Sequence, residues 1–292
     1  SAEMKSKQAI FTALLLSVLH TAAVAQPATT APKLIVQIVV SQMRYDYLER
    51  FRDNFSEKGF RFLVDSGANF TNARYNYMGT NTVAGLATLT TGTEPAGHGI
   101  IAPSWYNYTT SDSVNLIADA EARGLECEAG QNGYSPINLV ASTLGDRLHE
   151  SDSLAKVIAV AWDPYSAIVC GGSTGQAFWV DPVLGDWVSS SYYFSSFPDW
   201  VRQYNATNYS DALLERDWTP ERAYAVYKNR DTTLLSFAAQ PSKTKLFFRN
   251  IFSIFKKKDR TAQENENTEG FEPLFYTPYG NTLITDFAKE VI

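Results

Sequence analysis

Cysteine and histidine are scarce in this 292-residue chain, which holds two Cys and three His. Cys127 and Cys170 stand alone, neither in a C-x-x-C nor beside a histidine. That excludes a cysteine-built zinc module and a disulfide framework, although spacing cannot show whether the two meet. His98 and His149 are the histidines beyond the N-terminal apolar run. There is no H-E-x-x-H, Walker loop, G-x-G-x-x-G or Ser-His-Asp grouping. Concentrated positive charge is missing too. Twenty-five Lys and Arg against 31 Asp and Glu leave a net charge of −6, and Lys256-Lys257-Lys258 is the one basic run. Nucleic acid is therefore excluded as the main partner, because a phosphate backbone requires clustered cations. No internal repeat occurs. What the chain does have is 45% hydrophobic and 13% aromatic content, enough for a real core and incompatible with global disorder.

The N-terminus reads as an export address. From Met4, Lys5 and Lys7 precede an apolar run over 9–24 that closes with Ala23-Val24-Ala25. A signal peptide over 4–25, cleaved after Ala25, is expected, followed by a polar linker over 26–33. A transmembrane anchor is the competing reading, but Ser17, His20 and Thr21 interrupt the run. No Cys follows the cleavage site, so no lipid anchor is indicated. The expectation is an exported protein, in the periplasm, at the cell surface or secreted, with no transmembrane anchor after cleavage.

Residues 34–40 (LIVQIVV) are nearly continuous β-branched and apolar, the signature of a strand buried on both faces of a helix-covered sheet. Ser41 follows at its carboxyl end, where α/β sheets place their chemistry. Helices are expected over 45–51 and 59–67 and a strand over 68–77. The stretch 75–100 is rich in Thr, Gly and Ala and holds one acid, Glu94. Its 86–91 part reads as helix and 92–95 as a closing turn. An amphipathic helix over 135–150 with Pro136 near its start, strands over 157–161 and 167–170, and a helix over 198–204 continue the pattern. Residues 178–193 read as a β-hairpin within a β-rich aromatic insertion spanning about 176–275. The 247–258 stretch ends basic, 259–270 is polar, and the chain closes in a helix.

Thr82 is the first chemical candidate. It reads either as a nucleophilic hydroxyl at a helix N-terminus able to hold phosphate, or as the N-cap of a buried helix. His98, in P-A-G-H-G-I, reads as a turn histidine bonded to backbone, and His149 as a solvated residue on a polar helix face. Aromatics over 179–200 suit a carbohydrate or peptide surface, or ordinary β packing.

Several segments together carry a resemblance: 34–48 (LIVQIVVSQMRYDYL), Thr82 with its surroundings, 91–100 (TGTEPAGHGI), 135–139 (SPINL) and 277–281 (TPYGN). In this order they resemble the alkaline phosphatase superfamily, specifically PafA-type phosphatases close to the nucleotide pyrophosphatase/phosphodiesterases. The resemblance implies a doubly wound, mainly parallel α/β fold over 34–292. It further implies an exported hydrolase with two zinc ions and a threonine nucleophile that is transiently phosphorylated. Thr82 falls at that nucleophile. Where the family has an aspartate metal ligand after the first strand, this chain has Ser41, which lacks the anionic charge such a ligand supplies. The histidine following the nucleophile is gone, with Ala84, Gly85 and Leu86 in that region. The asparagine that steadies a phosphoryl oxygen is replaced at Pro103, and the Lys and Arg gripping a phosphate monoester are replaced at Asp163 and Tyr165. An aspartate there repels phosphate. The family's remaining Asp and His ligands lie beyond the matching segments.

These losses imply a pseudoenzyme, a binding or scaffold component of the cell envelope with a protein partner and no resident cofactor. The alternative is an active metal-dependent phosphate mono- or diester hydrolase using Thr82, with two zinc ions.

Overall fold

The computed structural model describes residues 32–127, 132–218 and 270–292. The chain divides into two units, one ending at Val40 and one beginning at Ser41. In the first unit, 34–40 lies outside any strand. Leu34, Ile35, Val36, Ile38, Val39 and Val40 are 40–78% exposed. The expected buried strand is therefore not formed. An apolar run reports a preference for burial, but a strand also needs a neighbouring backbone to complete its ladder.

The second unit opens with short helices α1 (Asp46–Arg50) and α2 (Phe60–Ser66), which bury no residue. The strand expected over 68–77 is a run of turns and bends. Its alternation survives in Tyr75 and Tyr77, whose hydroxyls both reach the next helix, at Gly85 O and at Ala84 O. That helix, α3 (Thr82–Thr91), is capped by Asn81, whose side chain accepts from Ala84 N, and it ends at Gly92 in the left-handed region. Thr82 is thus the first helical residue and not the cap. Thr88, Thr90 and Thr91 bond back to the carbonyls of Ala84, Leu86 and Ala87, which lets a threonine-rich helix bury its surface without orphaned hydroxyls.

After the short α4 (Pro95–His98), β1 (Ser104–Asn107) and β2 (Asp112–Asn115) form an antiparallel hairpin. A five-stranded sheet follows in the order β4-β3-β7-β6-β5, from β3 (Ala118–Leu125), β4 (Asn132–Tyr134), β5 (Ile158–Val160), β6 (Gln176–Val180) and β7 (Trp187–Ser190). The β5–β6 pairing is parallel, and β3–β4, β3–β7 and β6–β7 are antiparallel. Helices α5 (Leu144–Ser151) and α6 (Pro164–Gly171) flank β5 in the chain. Helices α7 (Asp199–Asn205), α8 (Tyr209–Leu214), α9 (Glu272–Phe275) and α10 (Pro278–Val291) complete the unit. The architecture is α/β, as the sequence predicts.

Two further expected elements change. The 135–150 helix begins only at Leu144, because Thr143 and Asp146 form a reciprocal capping box there. Upstream, Asn138 instead donates to the carbonyls of Asn115 and Leu116. The 167–170 strand is helix α6, started by the Asp163 side chain accepting from Ser166 N with Pro164 in the first turn. Ala167, Ile168 and Val169 are all buried, and a short apolar run suits a buried helix as well as a strand.

The core has two parts. One joins α3 and α6 to the sheet through Val83, Leu86, Ala87, Ile168, Val169 and Trp179. The other gathers Phe178, Trp187, Phe194, Phe197, Leu283 and Phe287. The aromatics over 179–200 are therefore mainly core: Trp179 and Trp187 are buried, while Trp200 is 39% exposed and stacks on Phe287. The 247–258 stretch and most of 259–270 lie outside the described residues.

Both cysteines are free thiols. Burial, aided by the Asp163 charge, pushes the Cys170 thiol up to about 12. Since the thiolate is the nucleophile, Cys170 should alkylate about 100-fold or more slowly than an open thiol at pH 8. Denaturant should restore the ordinary rate in mass-spectrometric iodoacetamide labelling; fast native labelling would show that the thiol is open.

Candidate functional site

The site is assembled from the start of α3. Asn81 fixes it. Its Oδ1 accepts from Ala84 N at 3.1 Å, and its Nδ2 donates to Ile101 O at 2.6 Å and Gly79 O at 3.2 Å. One side chain thus ties the helix start to the segment following P-A-G-H-G-I. The preference of Asn for the N-cap is the signal in the sequence that marks this residue.

Beside Asn81, the Thr82 hydroxyl lies on the outside of the first turn, 3.1 Å from the Ser41 hydroxyl. The structure therefore brings together Ser41 and Thr82, two positions that the sequence singles out. The pair is neutral. A hydroxyl cannot take the proton of another hydroxyl near neutral pH, and an activated nucleophile needs an adjacent base, a lowered pKa or a metal.

His98 does not supply the base. Its Nδ1 accepts from Ile100 N at 3.1 Å, its Nε2 lies 3.1 Å from Thr88 Oγ1, and the residue is fully buried. Because Nδ1 accepts, the proton sits on Nε2 and Thr88 Oγ1 receives it. Burial lowers its pKa, favouring this neutral form. The turn-histidine reading is what the structure shows. His149 is half-buried, with Nδ1 3.3 Å from Ala155 O.

The three replaced substrate positions have structural occupations. Pro103 is exposed and its carbonyl accepts from Leu116 N at 2.9 Å, closing the base of the β1–β2 hairpin. Asp163 caps α6. Tyr165 takes a hydrogen bond at its hydroxyl from Asn115 Nδ2 at 2.9 Å, and Asn115 Oδ1 accepts from Ile117 N and Ala118 N. The Tyr165–Asn115 pair shares no hydrogen bond with the Ser41–Thr82 pair among the described residues. No cationic side chain replaces the phosphate grip at these three positions.

A two-zinc centre needs anionic or imidazole donors. Ser41 and Thr82 offer neutral oxygens, His98 has its acceptor nitrogen occupied, and no group of three or more His, Cys, Asp or Glu comes together among the described residues. The described residues alone do not fit such a centre.

With Thr82 on the first turn of a helix capped by Asn81 on an α/β scaffold, the sequence profile described as type I phosphodiesterase / nucleotide pyrophosphatase matches residues 35–265. The chain belongs to that family, within the alkaline phosphatase superfamily. Among particular relatives, a protein named calcium-transporting ATPase from Myroides odoratus is 33% identical over 89% of this chain and 46% of its own length. Alkaline phosphatase PhoV from Synechococcus elongatus is 30% identical over 91% and 47%. Alkaline phosphatase PafA from Elizabethkingia meningoseptica is 29% identical over 91% and 47%. The crystal structure of wild-type PafA matches with a TM-score of 0.71 at 26% identity, covering 91% of this chain and 50% of that one. The chain spans about half the length of the curated relatives it matches.

Proposed function

We propose that this chain is a non-catalytic member of its family, exported to the cell envelope, whose retained α/β fold serves as a binding or scaffold module. The observation that carries this reading is the Ser41–Thr82 contact, 3.1 Å between two neutral hydroxyls at the nucleophile position. Without a carboxylate there, neither a base nor an anionic metal ligand meets the nucleophile. The occupations of Asp163 and Tyr165 add to it, since neither leaves a cation for a phosphoryl group. Among the described residues no helix is long and apolar enough to cross a membrane. Export itself rests on the signal-like run over 4–25, which lies outside the described residues.

A second reading is a phosphate-ester hydrolase that uses Thr82, completed by ligands outside these residues. Its support is the Thr82 hydroxyl, still exposed on the first turn of a ten-residue helix.

Hydrolysis of chromogenic phosphate mono- and diesters, measured with added zinc, separates the two. The chain and its Thr82→Ala variant should be indistinguishable from background, and elemental analysis should find no stoichiometric zinc. Hydrolysis abolished by Thr82→Ala would establish the second reading.

A further inference from the structure

The turn that holds the start of α3 is fastened on one side by backbone bonds and on the other by an imidazole. Before His98, the amides of Gly97 and His98 donate to the Glu94 carbonyl and that of Gly99 to the Pro95 carbonyl. After it, the Ile100 N–H donates to His98 Nδ1 at 3.1 Å, with Gly99 at φ +82° turning the backbone back toward the ring. Both His98 and Ile100 are fully buried, so this amide has no solvent to fall back on. One residue further, the Ile101 carbonyl accepts from Asn81 Nδ2 at 2.6 Å, and Asn81 Oδ1 accepts from Ala84 N at the cap of α3. His98 is thus linked, through Ile100, Ile101 and Asn81, to the turn that carries Thr82.

The ring can hold this turn in one protonation state only. Neutral, it accepts at Nδ1 and donates from Nε2 to Thr88 Oγ1, which also meets Tyr77 OH at 2.8 Å and donates to Ala84 O at 3.0 Å. A proton added at Nδ1 makes both nitrogens donors, and the Ile100 N–H then faces another N–H in a buried place. The Nε2 contact is the same in both states, so the conflict falls on the segment after His98. Among the described residues no charge offsets it. Helix α3 carries no acidic or basic residue, nor does the 135–141 segment, whose Val140 N donates to the His98 carbonyl. On the Thr88 side the titratable groups are the hydroxyls of Tyr77 and Tyr75, and Glu94 at the start of α4 is exposed. Burial is the cause that lowers the His98 pKa.

We propose that His98 is an acid-sensitive latch on the start of α3: protonation at Nδ1 expels the Ile100 amide, frees the Ile101 carbonyl from Asn81 and loosens the turn that presents Thr82, while the sheet stays packed. The sign follows from the burial. The closed turn binds the proton less readily than the open one, so closing is fully favoured above the ordinary value of 6.5 and is lost as pH falls through the lower value of the closed state. The inference goes beyond the functional reading, since the latch acts whether or not Thr82 has chemistry.

Amide exchange on the full chain between pH 7.5 and pH 5, corrected for the intrinsic pH dependence of exchange, tests the latch. Protection of Ile100 and Ala84 should fall together below pH 6.5, by up to about tenfold per pH unit, as one proton is taken up on opening. The Val180 amide, bonded to Trp162 O, should keep its protection. The nitrogen shifts of the His98 ring, followed on the same samples, should titrate with the loss. His98→Asn places an oxygen near the Nδ1 position but takes up no proton, so its Ile100 and Ala84 protection should stay flat over the range. Flat protection in the parent chain, loss at Ile100 without loss at Ala84, an equal loss at Val180, or a His98 ring that stays neutral while protection falls would each overturn the proposal. So would an unchanged loss in His98→Asn. The parent-chain readouts decide the matter even where that variant does not fold.

Discussion

Replacing Phe287 with alanine is expected to remove about 3–5 kcal/mol of stability, the range for truncating a buried aromatic in a packed core. Phe287 lies on α10, is fully buried, and meets four aromatic rings. It stacks on Trp187 with centroids 4.0 Å apart and planes 10° apart. Trp200 stacks on it at 5.4 Å, while Phe178 and Tyr204 meet it edge-on at 5.6 and 5.1 Å. Removing the ring leaves a void walled by these four aromatics, which are anchored in β6, β7 and α7 and cannot all collapse inward. The loss also undermines the docking of α10, whose other fully buried side chain is Leu283. A domain of ordinary stability, about 5–15 kcal/mol, would lose a large share of it. Urea unfolding followed by tryptophan fluorescence checks this. Leu89→Ala, at a site 51% exposed, is the control and should stay within about 0.5 kcal/mol. A Phe287→Ala midpoint equal to that of the control would mean that α10 contributes little to the core.

The contrast between α10 and the 34–40 segment shows what sequence pattern can and cannot convey. The closing helix was legible because its apolar residues recur at helical spacing, with proline at its start. The β6–β7 hairpin was legible from its aromatic and β-branched runs on either side of a glycine turn, where Gly185 adopts φ +74°. Segment 34–40 is as apolar as its sequence predicts yet forms no strand, because the partner that completes a strand is not local information. Residues 167–170 are helix and not strand for another reason: a four-residue apolar run carries no period, and the Asp163 cap with Pro164 decides for helix. At the site, residue types and their order exposed Thr82 and the loss at Ser41. The role of Asn81 depends on a 2.6 Å bond to Ile101 O, twenty residues away, which no spacing rule reveals.

Asp146→Asn is the second large effect expected, about 3 kcal/mol, and it should change the pH dependence as well as the stability. Asp146 is 4% exposed and has no cationic partner at its carboxylate among the described residues; five hydrogen bonds hold it instead. Oδ2 accepts from Thr143 N at 2.8 Å and from Thr143 Oγ1 at 2.9 Å. Oδ1 accepts from Ser173 N at 2.9 Å, Thr174 N at 2.8 Å and Thr174 Oγ1 at 2.8 Å. One carboxylate therefore starts α5 and pins the turn between α6 and β6. An amide keeps the shape but turns one acceptor into a donor facing donors, so two or three of these bonds become repulsive contacts. Bonds to a charged acceptor are worth about 1.5–3 kcal/mol each, but they share one group and do not add. Burial alone would raise the Asp146 pKa, yet the donations from Thr143 and Thr174 outweigh it and hold the group below the ordinary carboxylate range. A depressed folded pKa means that the unfolded chain binds the proton more readily. The contribution is therefore complete above the unfolded value near 3.9 and is lost as pH falls through the lower folded value. Urea midpoints measured from pH 7 down to pH 3 should fall more steeply in the parent chain than in Asp146→Asn, with the two curves converging at the acid end. Parallel curves would show that the folded and unfolded chains hold the Asp146 proton equally, so that the five donors do not favour its charged form.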